Sequence, residues 1–573
     1  MNLKELKDTI TKMSELEKKI FNQNWNFKNR DNILKRLKET HYDIIIIGAG
    51  ITGAGVAREA AMRELKVAVV DMQDFAAGTS SRSSKIAHGG IRYLTLGDMD
   101  LVHESTTERN WLLAHLPHLV RPIPFLFVHL KGGKYNKRTI ASAAKVYDFL
   151  GNKDTEFKIF KEHKWYKPEE VFELEPEYLR EGNLGGAVYY DTNVDDARLT
   201  IETLKEAVIR GADVINYCKV NGYVKDNGKI IGVKCRDLEN DNDFEIKGTL
   251  VVNATGIWTD NLLENYPEEI PEPLIRPTKG VHLQYRREYV KNRMATIIHS
   301  ITDNRGFFVL PRNKDFTIIG TTDTDYKEDL ATPFCNKDDA DYLITSTKHY
   351  FPSAELDYDN IVSAYAGIRP LVMQKGKSES EISRKHIIFF SDDGLLTITG
   401  GKLTAFRNMA EDLFIKIEEK NIFPGIKREK NFSKQKFIIS LEKEDWINEL
   451  KNSGVNLDED IADHLYQQYG KGAIEILNII KEDESLKARI LNENDFILAE
   501  IVYILRYELT PHLIDVFCRR TEMSLWISHK IAHEAARKVA ELMAKEYSWS
   551  EDKKKEEINI YLDYVKQSVS FIK

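Results

Sequence analysis

The sequence predicts a mixed α/β (α+β) fold in three parts: a parallel-sheet domain, a domain built on an antiparallel sheet, and a C-terminal all-α domain. An apolar run at residues 44–47 ends in a glycine turn and is followed by an Ala-rich helix and a second apolar strand, the order of a βαβ unit. Alternating strand patterns between about residues 263 and 360 indicate the antiparallel sheet. Charged, helical sequence beyond about residue 425 indicates the third part.

The composition is that of a globular protein with two or three domains. The chain has 573 residues, 42% of them hydrophobic, and a net charge of -8, which argues against a general nucleic-acid binder. The 4 cysteines include no C-x-x-C pair, so neither a disulfide framework nor a zinc site is expected, and no metal is assigned. No apolar stretch reaches about 18 residues and the start lacks a signal-peptide core, so we expect a cytoplasmic protein.

Residues 1–40 are predicted to form a basic amphipathic N-terminal arm. Apolar residues recur every three or four positions from Leu3 through Leu6, Ile10 and Met13 to Ile20, and ten Lys and Arg against six Asp and Glu give the segment a net charge of +4. We favour an arm that packs this stripe on its own chain or on a partner subunit. The alternative is peripheral contact with the inner face of the cell membrane, because a basic amphipathic helix can lie on anionic lipid.

Three glycines after the first strand have the spacing of a nucleotide-binding turn. Gly48 permits a tight turn, Gly50 lets the backbone approach a pyrophosphate, and Gly53 allows close helix–strand packing. The helix that follows directs its N-terminal amides at the phosphates, and Asp71, at the end of the second strand, lies where a ribose hydroxyl is bound. This order of elements indicates an adenine dinucleotide but does not choose between NAD and FAD.

A polar loop at residues 78–94 follows the nucleotide-binding unit. Its small hydroxyl side chains lie beside Arg82 and Lys85, which suits a loop that wraps a pyrophosphate or a ribose. Directly downstream, the sequence places His88 before two glycines and then Arg92 and Tyr93. A titratable ring, a cation and a phenol beside glycines that leave room for a flat ligand predict a functional site.

Later segments favour FAD over NAD. Strands at about 219–224, 230–235 and 244–247, with an Asn-Gly turn at 227–228, predict a three-stranded meander, and a separate buried strand at 250–253 leads to Ala254-Thr255-Gly256. The chain also lacks a second dinucleotide fingerprint. This meander is similar to that of FAD-binding folds of the glutathione reductase/amino-acid oxidase class, and the similarity implies a Rossmann-like FAD-binding domain of that class for the first part.

Two arginines and a lysine predict an anion site near the flavin. Arg369 precedes a proline and Arg384 lies 15 residues further on, so that two guanidinium groups can hold a phosphate by forked hydrogen bonds. Gly400 and Gly401 are expected to open a helix whose amides, with Lys402, face the flavin ring and favour its reduced, negatively charged form.

Several ordered segments resemble a known family. They are DMQDFAAGTSSRSSKIAHGGIRYL at 71–94, RPTKGVHL at 276–283, GTTDTDY at 320–326, AGIRPL at 366–371 and ITGGKLT at 398–404. Together they closely resemble the FAD-dependent (aerobic-type) glycerol-3-phosphate dehydrogenases, from about residue 40 to the C-terminus. The N-terminal arm lies outside the resemblance.

The resemblance implies a domain division, which we combine with the patterns above. The arm at 1–40 precedes a discontinuous FAD-binding domain at 41–116, 186–262 and 361–424, a substrate-binding domain at 117–185 and 263–360, and a helical domain at 425–573. Gly182, Gly185 and Gly186 are interpreted as a loop. The expected cofactor-binding residues are Gly48, Gly50, Ile51, Thr52, Gly53, Asp71, Thr79, Ser80, Ser81, Ser84, Lys85, Val220, Ala254, Thr255, Gly256, Gly401, Lys402, Leu403 and Thr404.

The implied reaction is the oxidation of sn-glycerol 3-phosphate to dihydroxyacetone phosphate, with hydride transfer from C2 to flavin N5 and electrons passed to a quinone. The expected catalytic residues are His88, Arg92, Lys402 and Arg369, and the expected substrate-binding residues are Arg92, Tyr93, Arg369, Arg384 and Lys402. His88 is the first candidate for the base because the ordinary pKa of histidine lies near working pH. A homodimer is expected.

Two other functions stay open at this stage. One is a hydrogen-peroxide-forming glycerol-3-phosphate oxidase on the same scaffold, and the more distant one is a flavin-binding protein without turnover, because a fold does not fix a function. Oxidases that resemble this family carry a long insertion after the RPL arginine, whereas only residues 370–383 separate Arg369 from Arg384 here. The short segment favours a dehydrogenase.

Overall fold

A computed structural model describes residues 14–572 of the chain, except 23, 154–160, 265–269, 271, 272, 375, 377–383 and 427–431. The strands, numbered in chain order, are β1 (His41–Ile47), β2 (Val67–Val70), β3 (Ile86–Ala87), β4 (Arg121–Leu130), β5 (Lys164–Tyr166), β6 (Asn183–Asn193), β7 (Asp213–Ile215), β8 (Cys218–Asp226), β9 (Lys229–Asp237), β10 (Asn242–Asn253), β11 (Ile275–Arg286), β12 (Ala295–His299), β13 (Gly306–Arg312), β14 (Phe316–Gly320), β15 (Thr324–Asp325), β16 (Ile361–Val372), β17 (His386–Phe390) and β18 (Leu396–Gly400).

Helices connect these strands and form the C-terminal part. The α-helices are Arg30–Glu39, Ile51–Met62, Met99–His115, Lys137–Asn152, Pro168–Leu174, Asp196–Ile209, Arg287–Val290, Lys337–Tyr350, Phe406–Glu419, Lys443–Ser453, Glu459–Tyr469, Gly472–Glu482, Leu498–Tyr507, Leu513–Asp515, Met523–Trp526, Ala532–Tyr547 and Glu551–Ser568, with a π-helix at Val516–Arg520. Short 3₁₀ segments are Phe27–Asn29, Thr79–Ser81, Ile91–Leu96, Gly256–Leu262, Tyr358–Asn360, Leu403–Ala405, Phe432–Lys434, Glu484–Lys487 and Ser570–Ile572.

The first sheet carries the predicted βαβ unit. Its strand order is β17-β18-β10-β1-β2-β7, and β1 pairs in parallel with both β2 and β10. The isoleucines at 44–47 are buried, as expected for a strand covered on both faces. The helices Ile51–Met62 and Asp196–Ile209 pack on this sheet within one apolar cluster. The predicted α/β fold of the FAD class is confirmed.

The meander that follows differs from the prediction in one respect. Strands β8, β9 and β10 form it as expected, but 244–247 and 250–253 belong to one strand. The first half of β10 pairs antiparallel with β9 and the second half pairs parallel with β1. The sequence break between the two halves, at Gly248, marks the point where the backbone of β1 approaches: a Cβ there would lie 3.0 Å from the Tyr42 carbonyl oxygen.

The second sheet is larger than predicted. Its order is β15-β11-β14-β13-β12-β4-β6-β3, with β16 paired to β11 and β5 paired to β6. Most of β6 and all of β16 were expected in the FAD-binding domain, so the predicted boundaries at 186 and 361 are wrong. The predicted loop at Gly185 and Gly186 is also wrong, because both lie in β6. Gly186 allows a close approach, since a Cβ there would lie 3.1 Å from the Phe127 carbonyl oxygen.

The helical domain is joined to the first domain by buried ion pairs. Arg519 and Arg520 of the π-helix both contact the carboxylate of Asp74, at 2.5 and 2.8 Å, and Asp74 follows β2. All three side chains are nearly inaccessible to solvent. These arginines therefore hold the two parts together.

The described part of the N-terminal arm packs on its own chain. Leu16 and Ile20 are buried in a cluster that includes Trp111 and Phe437, while Trp25 donates a hydrogen bond to the Val214 carbonyl at 3.0 Å. The stripe residues Leu3, Leu6, Ile10 and Met13 lie outside the described residues. None of the helices in the described ranges is long and apolar enough to cross a bilayer.

Trp25→Ala tests this packing. Trp25 is 4% exposed and its ring lies 5.3 Å from that of Phe75, so we expect the substitution to lower the free energy of unfolding by about 3 to 5 kcal/mol. Lys28→Ala is the control, because Lys28 is 60% exposed and makes only a surface ion pair. Thermal unfolding of the two variants measures the difference; equal melting temperatures would mean that the arm adds no stability.

Candidate active site

One cavity of about 810 Å³ collects the predicted site residues from both sheets. The first sheet contributes the turn after β1, the end of β2 and the residues after β10; the second contributes parts of β11 and β16. Of the predicted cofactor-binding residues, all line the cavity except Gly53, Ser81 and Lys85. The predicted substrate-binding and catalytic residues His88, Arg92, Tyr93, Arg369, Arg384 and Lys402 all line it as well.

The glycine turn has the geometry that a dinucleotide needs. Gly48 has a φ of +101° and lies against the Ala254 carbonyl, while Gly53 lies under the turn, where a Cβ would come within 1.9 Å of the Gly48 oxygen. Gly50 has no side chain that could cap the helix Ile51–Met62, and Ser80 Oγ takes up only the Ile51 N–H. The first turn of this helix therefore presents backbone N–H groups, at the positive end of the helix dipole, to the cavity.

Asp71 fixes this turn from the end of β2. Its Oδ2 accepts a hydrogen bond from the Ala49 N–H at 2.6 Å and its Oδ1 accepts one from the Gln73 N–H at 2.9 Å. Burial raises the pKa of Asp71 to about 7, against the effect of these two hydrogen bonds. A carboxylate oxygen can accept a further hydrogen bond, so a ribose hydroxyl at this position would stabilise the ionised form.

The polar loop lies along the same cavity, but its hydroxyl groups form hydrogen bonds with other parts of the chain. Ser80 Oγ accepts from the Ile51 N–H at 2.9 Å, Thr79 Oγ1 donates to the Ile368 carbonyl at 2.6 Å, and Ser84 Oγ lies 2.9 Å from His282 Nε2. These bonds connect the loop to the helix and to the second sheet. The loop is therefore held in place before any ligand binds.

Lys85 is not brought to the cavity. Its ammonium lies 2.5 Å from Asp196 and also contacts Glu522, and it is 1% exposed. Although burial lowers the pKa of Lys85, the two carboxylates raise it above its usual value. Within the described residues, Asp195, Asp196 and Glu522 are close enough to share a metal ion, but the Lys85 ammonium already contacts two of these carboxylates. We assign Lys85 to the packing of the helical domain.

His88 lies in a turn that a buried ion pair fixes. The Gly89 N–H donates to Asp191 at 3.2 Å, and the same carboxylate accepts from Tyr147 and from Arg109. A Cβ on Gly89 would lie 2.6 Å from the Tyr147 hydroxyl, so only glycine fits. Burial, and then the positive charges of Lys402 and other nearby cations, lower the pKa of His88 to about 3. Its imidazole is therefore neutral at working pH and can accept a proton.

Lys402 stands between the glycine turn after β18 and the cationic end of the cavity. Its Nζ donates to Ser105 Oγ at 2.9 Å and lies 4.0 Å from the centroid of the Tyr93 ring. Burial, and then the charge of Arg384, lower the pKa of Lys402 to about 7. The expected helix begins slightly later than predicted, because Lys402 precedes a short 3₁₀ turn and the α-helix starts at Phe406.

Arg369 is held by protein groups. Its Nη1 donates to Asp323 at 3.0 Å, and its Nη2 donates to Thr321 Oγ1 at 3.0 Å and to the Thr322 carbonyl at 3.1 Å. The sequence predicts that the Arg369 guanidinium binds a phosphate through forked hydrogen bonds. In the structure, its Nη1 and Nη2 groups instead donate to acceptors of the protein. Burial lowers the pKa of Arg369 to about 10, while Asp323 opposes this shift. Arg384 lines the same part of the cavity and is half-buried.

Sequence reasoning did not select His282, Arg305 and Asp323, all of which line the cavity. His282 stacks on Tyr365, with ring centroids 4.6 Å apart, and burial holds its pKa well below the usual value. His282 and Asp323 lie inside segments that carry the family resemblance. The resemblance of these two segments to the family was the signal that could have selected His282 and Asp323. The pairing of β11 with β16 at the site is not visible in the sequence.

One cavity contains a dinucleotide turn and a neutral histidine beside several cations, the features that an FAD-dependent oxidoreductase acting on an anionic substrate needs. The family model for FAD dependent oxidoreductases matches residues 43–407, and the model for the C-terminal domain of alpha-glycerophosphate oxidase matches residues 401–554. The chain belongs to the family of aerobic glycerol-3-phosphate dehydrogenases. It is 36% identical to the Bacillus subtilis (strain 168) aerobic glycerol-3-phosphate dehydrogenase over 546 residues, 93% of this chain and 96% of the relative.

Solved structures agree with this family. The glycerol-3-phosphate dehydrogenase from Bacillus halodurans complexed with FAD has 29% identity and a TM-score of 0.76, covering 96% of this chain and 99% of that one. An L-alpha-glycerophosphate oxidase from Mycoplasma pneumoniae with FAD bound has 18% identity and a TM-score of 0.52, covering 66% of this chain and 95% of that one, and shares the fold. The predicted family, fold class and FAD cofactor are confirmed.

Gly53→Ala tests the fit of the turn to FAD. Because a Cβ at this position would lie 1.9 Å from the Gly48 oxygen, the helix must move away from β1 and we expect purified protein with little or no flavin. Gly222→Ala is a matched control, since no atom lies within 4 Å of a Cβ there. The ratio of visible to ultraviolet absorbance measures flavin content. Equal flavin content in the two variants would contradict the role of Gly53.

Proposed function

We propose that this protein oxidises sn-glycerol 3-phosphate to dihydroxyacetone phosphate with bound FAD. The observation that supports this proposal most strongly is the position of a neutral His88 among cationic side chains, in the same cavity as a dinucleotide turn. A substrate that carries a phosphate group and a free secondary alcohol needs both features: positive charge for the phosphate and a base for the hydroxyl proton. The names of the relatives agree with this substrate.

The phosphate is proposed to bind at the cationic end of the cavity. Arg92 is exposed at this end, while Arg369, Arg384 and Lys402 are half-buried. Cations in a partly buried site interact with an anion more strongly than in water, because the local dielectric constant is lower. Lys402 lies over the ring of Tyr93 and lines the cavity directly after the glycine turn, so we propose that it contacts substrate and cofactor.

His88 is the proposed base. When bound, FAD supplies the two-electron acceptor that takes the hydride from C2 of the substrate at N5. His88 accepts the proton of the 2-hydroxyl, which it can do because its imidazole is neutral. A bound phosphate dianion adds negative charge among the same cations that lower the pKa of His88, and so raises the pKa of the ring when the substrate is present. Substrate binding thereby prepares the base.

We propose a quinone as the electron acceptor. The relatives at 35–36% identity that carry the name aerobic glycerol-3-phosphate dehydrogenase support a dehydrogenase. The short segment between Arg369 and Arg384 supports it as well; its residues 375 and 377–383 lie outside the described residues. The alternative is an oxidase that passes electrons to oxygen.

We further propose a homodimer in the cytoplasm. Peripheral contact of the N-terminal arm with the inner face of the cell membrane is the alternative to its packing, and the basic charge of residues 1–40 supports it. Light scattering tests the dimer, and sedimentation with anionic vesicles tests the membrane contact. A truncation for the second test should end at residue 13, because Leu16, Ile20 and Trp25 are part of the core.

Anaerobic addition of glycerol 3-phosphate tests the reaction. We expect it to bleach the yellow enzyme, with glycerol giving a far slower reaction because it lacks the phosphate. The reduced enzyme should then be reoxidised much faster by a quinone analogue than by air-saturated buffer. Stoichiometric hydrogen peroxide at the rate of dye-coupled turnover would instead establish the oxidase. An unbleached flavin would exclude both enzymes.

Lys402 gives the reaction a pH dependence. Its ammonium is charged below its lowered pKa of about 7, so kcat/KM for the anionic substrate should fall as the pH rises through this value. Lys402→Arg keeps its charge, and its profile should lack this decrease; Lys402→Met should have a low kcat/KM and also no decrease near pH 7. Titration of the substrate phosphate affects all three proteins equally. An unchanged profile in both variants would remove Lys402 from the reaction.

A further inference from the structure

We propose that Asp323 is a positioning residue of the anion site, which fixes Arg369 and lowers the affinity of the site for anions. This inference rests on the proposed function, because it concerns the site where the substrate phosphate would bind. Asp323 follows β14 in the second sheet, and Arg369 lies in β16. Their ion pair is nearly buried, with 15% and 11% of the side chains exposed.

The hydrogen bonds of Arg369 determine how it can contact an anion. A guanidinium holds a phosphate or carboxylate with a fork made either by Nε and Nη2 or by Nη1 and Nη2. Here Nη2 has two protein acceptors, Thr321 Oγ1 and the Thr322 carbonyl, and Nη1 donates to Asp323. Both forks are thus committed to the chain. Arg369 offers an incoming anion its charge and single hydrogen bonds, but no fork.

The surrounding backbone is built for this arrangement. Gly280 of β11 faces the pair, and a Cβ there would lie 2.4 Å from both Arg369 Nη2 and Thr321 Oγ1. The Thr321 hydroxyl donates to the Thr322 carbonyl at 3.0 Å, so its oxygen is oriented to accept from Arg369. Arg305 donates to the backbone carbonyl of Asp323. The backbone of Asp323 and the Thr321 hydroxyl are therefore both fixed beside Arg369.

Asp323 adds a negative charge to the end of the cavity where Arg92, Arg369, Arg384 and Lys402 lie. The carboxylate repels any anion that approaches these cations, with an energy proportional to the charge of that anion. Its presence keeps the site from holding phosphate too tightly. The phosphate groups of substrate and product, and also inorganic anions, bind more weakly than the cations alone would allow.

Asp323→Asn separates this charge from the geometry, because the amide oxygen can still accept from Arg369 Nη1. Titration calorimetry of the flavin-loaded enzyme, without turnover, measures the binding of sulfate and of perchlorate, two tetrahedral anions of different charge. We expect the dissociation constant of sulfate to fall by at least about tenfold, and that of perchlorate by about the square root of that factor. Flavin content and melting temperature should match the wild type.

Asp325→Asn is the control, because Asp325 lies two residues away, is 47% exposed and pairs with Arg276. It removes the same charge, and sulfate affinity should change by less than about twofold, since an exposed charge is screened. Sulfate binding that is unchanged or weaker in Asp323→Asn, or a change of equal size in Asp325→Asn, would overturn the proposal. Bleaching by glycerol 3-phosphate tests the proposed reaction separately. Failure of the Asp323 proposal in the anion titrations would therefore leave the proposed reaction undecided, and the reverse also holds.

Discussion

Positive charge on partly buried side chains is the constraint that shapes this site. Arg369, Arg384 and Lys402 are half-buried around one end of the cavity, where each loses hydration and repels the others. The cost appears in the lowered pKa values of Lys402 and Arg369, about 7 and about 10. Burial, and then the charges of the same cations, lower the pKa of His88 and keep its ring unprotonated until an anion binds. One electrostatic condition therefore attracts an anion and keeps the proposed base neutral.

Such a cluster persists only if the rest of the fold holds it together. The turn that carries His88 is anchored through Gly89 to Asp191, which is itself buried with Arg109 and Tyr147. Asp74, three residues after the Asp71 that fixes the glycine turn, pairs with two arginines of the helical domain. A buried ion pair is weak support for stability, but removal of one partner leaves an uncompensated charge. These pairs therefore specify where the domains meet.

The parts of the site that are local in sequence could be predicted, and the parts that depend on strand pairing could not. The strand, turn, helix and acid from Tyr42 to Asp71 form contacts within one βαβ unit, so their spacing determines their geometry. The apolar run in β16 is different, because a buried antiparallel strand and a buried parallel strand have the same pattern. Its pairing with β11 is what places Arg369 beside Asp323. Lys85 was assigned to the cofactor for the same reason: its partner Glu522 comes from a distant part of the chain.

The distribution of the site over the two sheets explains why one cavity can carry both halves of the chemistry. After the strands of the first sheet come the helix N-terminus, with its backbone N–H groups, and Asp71. These groups suit the phosphates and the ribose of a dinucleotide. The second sheet contributes His282 and Arg369, whose side chains are fixed by Ser84 and by Asp323 before a ligand arrives. Lys402 follows a strand of the first sheet and reaches the Tyr93 ring. Since these groups come from separate segments, their alignment depends on the packing of the two sheets, and a change in that packing would affect cofactor binding and anion binding together.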